Sequence, residues 1–68
     1  MKKFEVGKIY GEKAVKYEVV NRTAKTLTFV SIAHYGRYNE RRSEEKKAKI
    51  HDWDGREVFY VSDYTIEA

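Results

Sequence analysis

Arginine and tyrosine interleave over residues 34 to 47, which read HYGRYNERRSEEKK. Cationic side chains neutralise phosphates and release their counterions, while aromatic rings stack on unpaired bases. Tyr35, Arg37, Tyr38, Arg41 and Arg42 bring both types into one short segment. Lys47 and Lys49 continue the cationic run, and Trp53 and Arg56 follow at the next turn, with His51 and Tyr60 able to extend the surface. The chemistry these residues suit is capture of a nucleic-acid strand, DNA or RNA and preferably single-stranded. Aromatic rings beside arginine are also the composition of protein-interaction hot spots, so a protein partner is the alternative. Salt separates the two, because phosphate contacts weaken steeply with ionic strength and an apolar interface does not. The plainest reading is a solvated loop, since Glu40, Glu44 and Glu45 dilute the positive field. Trp53 over Arg56 would then be only a cross-strand cation–π pair, worth ~0.5–1 kcal/mol when exposed.

The distribution of charge favours this segment. The chain has 14 basic and 11 acidic residues, net +3. Residues 34 to 49 hold six basic and three acidic residues, so they account for the whole excess. Arg22 and Lys25 flank another turn and form a second, smaller candidate for a phosphate contact.

Other chemistries lack their parts. Ser31, Ser43 and Ser62 have no surrounding pattern of a nucleophile with base and orienting group. Asp52 and Glu57 pair two carboxylates at an exposed hairpin end, where nothing raises a pKa. No glycine-rich phosphate loop is present, and His34 and His51 lie far outside metal-ligand spacing. The expectation is therefore no catalysis, no cofactor and no metal. The absence of cysteine removes disulfides and thiolate sites and makes the cytoplasm the default. MKKFEVGKIY lacks the apolar run of a signal peptide, and Val58-Phe59-Tyr60-Val61 is too short to cross a membrane.

These side chains need elements to position them. Sixty-eight residues make one domain with a thin core. Its 41% hydrophobic and 15% aromatic content argues against disorder. Val15, Tyr17 and Val19 alternate with Lys16 and Glu18, and Leu27 and Phe29 with Thr26 and Thr28, which is the period of half-buried strands. A three-residue loop, Thr23 to Lys25, sets Val19 opposite Phe29 and Asn21 opposite Leu27. It is preferred over a two-residue loop that sets Glu18 against Phe29. Asp54-Gly55 predicts a tight hairpin, because both central residues must take positive φ. Counting outward, Trp53 faces Arg56, Asp52 faces Glu57, His51 faces Val58, Ile50 faces Phe59, Lys49 faces Tyr60 and Ala48 faces Val61. The Asp52–Glu57 pair costs a little, being like charges. A short strand follows a bend at Gly7, and Tyr64-Thr65-Ile66 is a last strand after a Ser62-Asp63 turn. Residues 39 to 50 have helix-forming composition but no apolar stripe to dock a helix.

The economical fold is a single all-β domain, a five- or six-stranded antiparallel SH3-like barrel, with an OB-like barrel second. Its expected core is Val6, Ile9, Val15, Tyr17, Val19, Leu27, Phe29, Ile50, Phe59, Val61 and Ile66. Residues 34 to 47 form its charged loop.

Val6-Gly7-Lys8-x-Tyr10, Tyr17-x-Val19-Val20-x-Arg22-Thr23-Ala24-Lys25, Lys49-Ile50, Gly55-x-Glu57 and Tyr64-Thr65-Ile66-x-Ala68 together resemble a group of small uncharacterised β proteins of bacterial genomes, phages and mobile elements. The resemblance touches most of the chain outside residues 34 to 47. It implies a compact β domain of bacterial origin and carries over no active site.

Overall fold

The computed structural model describes residues 2–11, 14–61 and 64–68. All regular structure in them is β, in antiparallel ladders. The strands are β1 (Ile9–Tyr10), β2 (Lys16–Arg22), β3 (Thr26–Ala33), β4 (Arg41–Arg42), β5 (Lys46–Lys49), β6 (His51–Trp53), β7 (Arg56–Val61) and β8 (Tyr64–Glu67). A five-stranded sheet runs β1-β2-β3-β4, with β5 also paired to β3, and a three-stranded sheet runs β6-β7-β8. The ladders do not close into a barrel among the described residues. Residues 39 to 50 form no helix; they are the two strands that partner β3.

Two chain segments pass between the sheets. β5 pairs with β3, and after Ile50 the same chain becomes β6 and pairs with β7. The Ile50 amide is satisfied at that bend by the Lys25 carbonyl, at 2.8 Å. On the other side the N-terminal segment bonds β7 through Lys2 and β2 through Gly7 and Lys8. Phe4 lies between those two attachments and is fully buried.

The hairpin turn is as expected. Asp54 and Gly55 have φ of 52° and 79°, and His51, Asp52 and Trp53 face Val58, Glu57 and Arg56. The pairing stops there. Ile50–Phe59, Ala48–Val61 and Lys49–Tyr60 are not ladder pairs, because β5 has left for β3, where Ala48 faces Leu27 and Lys49 faces Thr26. Ala48, Ile50 and Val61 still pack on the core, since the bend preserves which way they point.

The β2–β3 hairpin corrects the expected register at one end. Val19 does face Phe29, but Asn21 faces Thr28 and Arg22 faces Leu27, with a bulge between Val19 and Asn21. Pairing continues to Thr23, whose amide reaches the Thr26 carbonyl at 2.8 Å, so only Ala24 and Lys25 form the loop. Neither takes positive φ. The Thr23 hydroxyl replaces the usual glycine by accepting from the Thr26 amide at 3.1 Å and the Lys25 amide at 3.3 Å. A second irregularity lies opposite β3, where one extra residue sits between Arg42, facing Ile32, and Lys46, facing Phe29. Ser43 stands opposite Ser31, its amide donating to the Ser31 carbonyl and its hydroxyl accepting from the Ser31 amide, both at 2.9 Å, so the extra residue falls at Glu44-Glu45 opposite Val30.

The core is Phe4, Tyr17, Val19, Leu27, Phe29, Phe59 and Ile66. Phe59 is its centre, with ring centroids 5.1, 4.9 and 6.1 Å from those of Phe4, Phe29 and Tyr17. Burying a ring of this size contributes roughly 1.5–3 kcal/mol. Three expected members are absent: Ile9 is only half-buried and is not among the residues packed on the core, and the other two are exposed. Val6 is 56% exposed in the bend before β1, and Val15 is exposed just ahead of β2. Phe4 takes that place in the core. The expected Ser62-Asp63 turn lies outside the described residues.

Candidate nucleic-acid interface

Residues directly opposite in an antiparallel ladder share a face. Leu27 and Phe29 mark the core side of β3, so Thr26, Thr28, Val30 and Ile32 mark the outer side, together with Lys49, Lys47, Glu18 and Arg42. On the small sheet the outer side carries Trp53 with Arg56, His51 with Val58, and Tyr60 with Thr65. Ala48 and Ile50 point to the core, which turns Lys47, Lys49, His51 and Trp53 outward in one row along the chain. All four are exposed.

The structure divides the expected site in two. Tyr35, Arg37 and Tyr38 lie in the loop that follows β3, and all are exposed, Tyr38 entirely. Arg41 and Arg42 form β4, facing Ala33 and Ile32. Lys47, Lys49, Trp53 and Arg56 belong to β5 and the β6–β7 hairpin. The expected loop of residues 34 to 47 is thus a loop only to residue 40, followed by strands. From Thr28, opposite Lys47, to Ala33, opposite Arg41, the chain of β3 runs about 17 Å.

Charge separates the halves further. Residues 34 to 45 contain Arg37, Arg41 and Arg42 against Glu40, Glu44 and Glu45, so they are neutral. The entire +3 sits on Lys46, Lys47 and Lys49 of β5. Among the described residues none of these three ammonium groups has an ion-pair or hydrogen-bond partner.

Two arginines of the expected site are already held by carboxylates. Arg42 pairs with Glu18 and reaches Glu40 at 3.5 Å. Its pKa is raised, first by the hydrogen bond to Glu18. Arg42 faces Ile32 on one side of β3, and Glu18 faces Val30 on the other. Their ion pair therefore crosses the outer side of β3 over two apolar residues, both buried. Arg56 pairs with Glu67 at 2.9 Å. The four outer neighbours of buried Val58 are Arg56, Tyr60, His51 and Glu67, and they join in two pairs above it. One is the Arg56–Glu67 ion pair, and the other is His51 against Tyr60, rings 5.1 Å apart. No cation–π contact joins Arg56 to Trp53 among the described residues; the guanidinium turns to Glu67 instead. These arginines cover apolar surface with stem and charge together.

Arg22, the other candidate for phosphate, is the most deeply engaged. The bulge before Asn21 shifts it onto the core side, opposite Leu27. There it meets Glu57, with Nη1–Oε1 at 2.7 Å and Nη2–Oε2 at 3.1 Å. Glu57 also accepts the Phe4 amide at 2.8 Å, and Arg22 donates to the Phe4 carbonyl at 2.7 Å. The Arg22 hydrogen bond is the largest cause holding the Glu57 carboxyl below the usual range, against burial, which pushes it up. The pair fastens the N-terminal segment and leaves Arg22 no free face for a ligand. The Asp52–Glu57 juxtaposition expected at this hairpin exists, but Glu57 is buried and answered by Arg22.

Ser31 and Ser43 are tied to each other through the backbone and flank the strand irregularity. No cluster of three or more His, Asp or Glu able to hold a metal occurs among the described residues. Compared with protein-family models, with curated proteins and with solved structures, the chain matches none.

Proposed function

We propose that this chain is a non-enzymatic binding module for nucleic acid, single-stranded by preference. One observation carries the reading: β5, the strand with the largest net charge, has three lysines without a carboxylate partner among the described residues and runs directly into a hairpin that presents exposed rings. Lys47 and Lys49 supply phosphate contacts, and Trp53 supplies a stacking surface. Tyr35, Arg37 and Tyr38 of the loop beyond β3, with Arg41 of β4, form an outlying contact group. Arg42 and Arg56 cover apolar surface and contribute little positive field. An SH3-like arrangement of the two sheets is part of the proposal, supported by the two segments that cross between them. The resemblance of the sequence to small β proteins of bacterial genomes and mobile elements supports a cytoplasmic module of that origin.

The test is an amide NMR titration with a short mixed-sequence single-stranded oligonucleotide at low and then moderate salt. Shifts concentrated between Tyr35 and Trp53 that fade as salt rises are expected. No shifts at low salt would overturn the proposal. The second reading is a protein-interaction module on the same surface, favoured by the full exposure of Tyr38 in a loop of zero net charge.

A further inference from the structure

We infer that the outward row Lys47, Lys49, His51–Tyr60 and Trp53 is itself the binding track, and that its ligand is an extended single strand of about four nucleotides with its bases parted by the protein's rings. This inference rests on the nucleic-acid reading above and adds its site, register and footprint.

The spacing carries it. Alternate residues on a strand are about 6.6–6.8 Å apart. Stacked nucleotides in one strand rise about 3.4 Å each. A ring inserted between two bases doubles that gap to about 6.8 Å. A single strand opened by the rings at His51–Tyr60 and Trp53 therefore repeats there at the same interval as the outward residues of β6, while the lysines of β5 meet its phosphates. From Lys47 to Trp53 the row covers at most about 20 Å, three such steps and four nucleotides, the upper bound being set by the turn at Ile50 where the chain passes from one sheet to the other.

The order of chemistry along the row fits the same ligand. Lys47 and Lys49 are adjacent steps with unpartnered ammonium groups, suited to successive phosphates. The next step is the His51–Tyr60 ring pair, supported from below by buried Val58 and held beside the Arg56–Glu67 ion pair. The last is Trp53, 57% exposed. A duplex keeps its bases stacked and offers these rings no face, so the track selects single strands.

The whole chain is titrated with fluorescein-labelled oligothymidylates of two to eight nucleotides, followed by anisotropy. Trp53 is the sole tryptophan, so quenching of its emission reports stacking directly. Affinity is expected to rise steeply up to about four nucleotides and then only slowly. Two phosphate contacts give a slope of log K against log salt of about −1.4. Lys47→Ala/Lys49→Ala is expected to bring that slope close to zero. Lys3→Ala/Lys8→Ala, which removes the same charge outside the row, is expected to leave it unchanged. Trp53→Ala is expected to weaken binding about five- to hundredfold with the slope intact.

If oligonucleotides bind but the slope collapses in Arg37→Ala/Arg41→Ala and survives in Lys47→Ala/Lys49→Ala, the track is wrong while the nucleic-acid reading stands. Equal affinity for a duplex, or an unquenched Trp53, would remove the parted-base geometry. No binding of any oligonucleotide at low salt would overturn the track together with the proposed function.

Discussion

Glu57→Gln removes one charge from the Arg22–Glu57 pair and keeps the shape. The Glu57 side chain is 6% exposed and that of Arg22 19%. The glutamine carbonyl can still accept the Phe4 amide, but its NH2 group then meets the guanidinium, donor against donor. Removing one partner of a buried ion pair costs about 3–5 kcal/mol. Arg22 retains some access to water, which places the expected cost near 3 kcal/mol. A chain of this length has a total stability of roughly 3–10 kcal/mol, so the variant is marginal at best. In melting temperature the loss corresponds to about 12–24 °C. Replacing both partners with apolar residues, Arg22→Met/Glu57→Leu, should cost less than either single change, because no charge is then left buried alone. The pH dependence has a definite sign. The folded pKa of Glu57 is depressed, so the unfolded chain binds its proton more readily. Its contribution is present above the unfolded value of about 4.3 and is lost as pH falls through the lower folded value. Urea unfolding followed by circular dichroism between pH 7 and pH 2.5 measures both quantities. A Glu57→Gln loss under 0.5 kcal/mol at pH 7, or a parent chain whose acid sensitivity matches the variant's, would refute the clasp.

Three further substitutions test the packing. Phe4→Ala should cost about 3–5 kcal/mol by thermal or urea unfolding, as deletion of a core ring, despite its place near the chain start. Val6→Asp should stay within about 0.5 kcal/mol of the parent, because this valine is exposed. Gly55→Ala should cost about 1–2 kcal/mol, read as a lower urea midpoint at unchanged slope, since φ there is 79° with open space around the added methyl.

Much of the fold was legible because its signals are local. Asp54-Gly55 fixed a turn and, by counting outward, three correct cross-strand pairs. Alternation around Tyr17, Val19, Leu27 and Phe29 identified the core side of β2 and β3. The errors arise where one extra residue is inserted. The bulge before Asn21 has no distinctive composition, yet it reverses the direction of every side chain after it, and Arg22 turns inward as a result. Glu57 looked like a blemish because its partner is 35 residues away. Phe29-Val30 and Val58-Phe59 are adjacent apolar pairs, the mark of strands covered on both sides. Those pairs implied that something must shield Val30 and Val58 from water. The cross-strand ion pairs of Arg42 and Arg56 are what the structure places there.

The same fact reorders the candidate site. In a sequence, arginines and lysines beside tyrosines all count alike toward a basic patch. In this fold Arg22, Arg42 and Arg56 each face a carboxylate, while Lys46, Lys47 and Lys49 face none. Among these six residues the division accords with the chemistry of the side chains, although Lys8 pairs with Glu5 in the bend before β1. A guanidinium is planar, weakly hydrated and forked, so it can lie across apolar residues while gripping a carboxylate. An ammonium is a compact, strongly hydrated charge that stays in water and remains available to a polyanion. The field of the free lysines fades over about 10 Å at 0.1 M salt. A ligand must therefore come to β5 itself to feel it, and the first rings it meets along the chain are those of the adjoining hairpin.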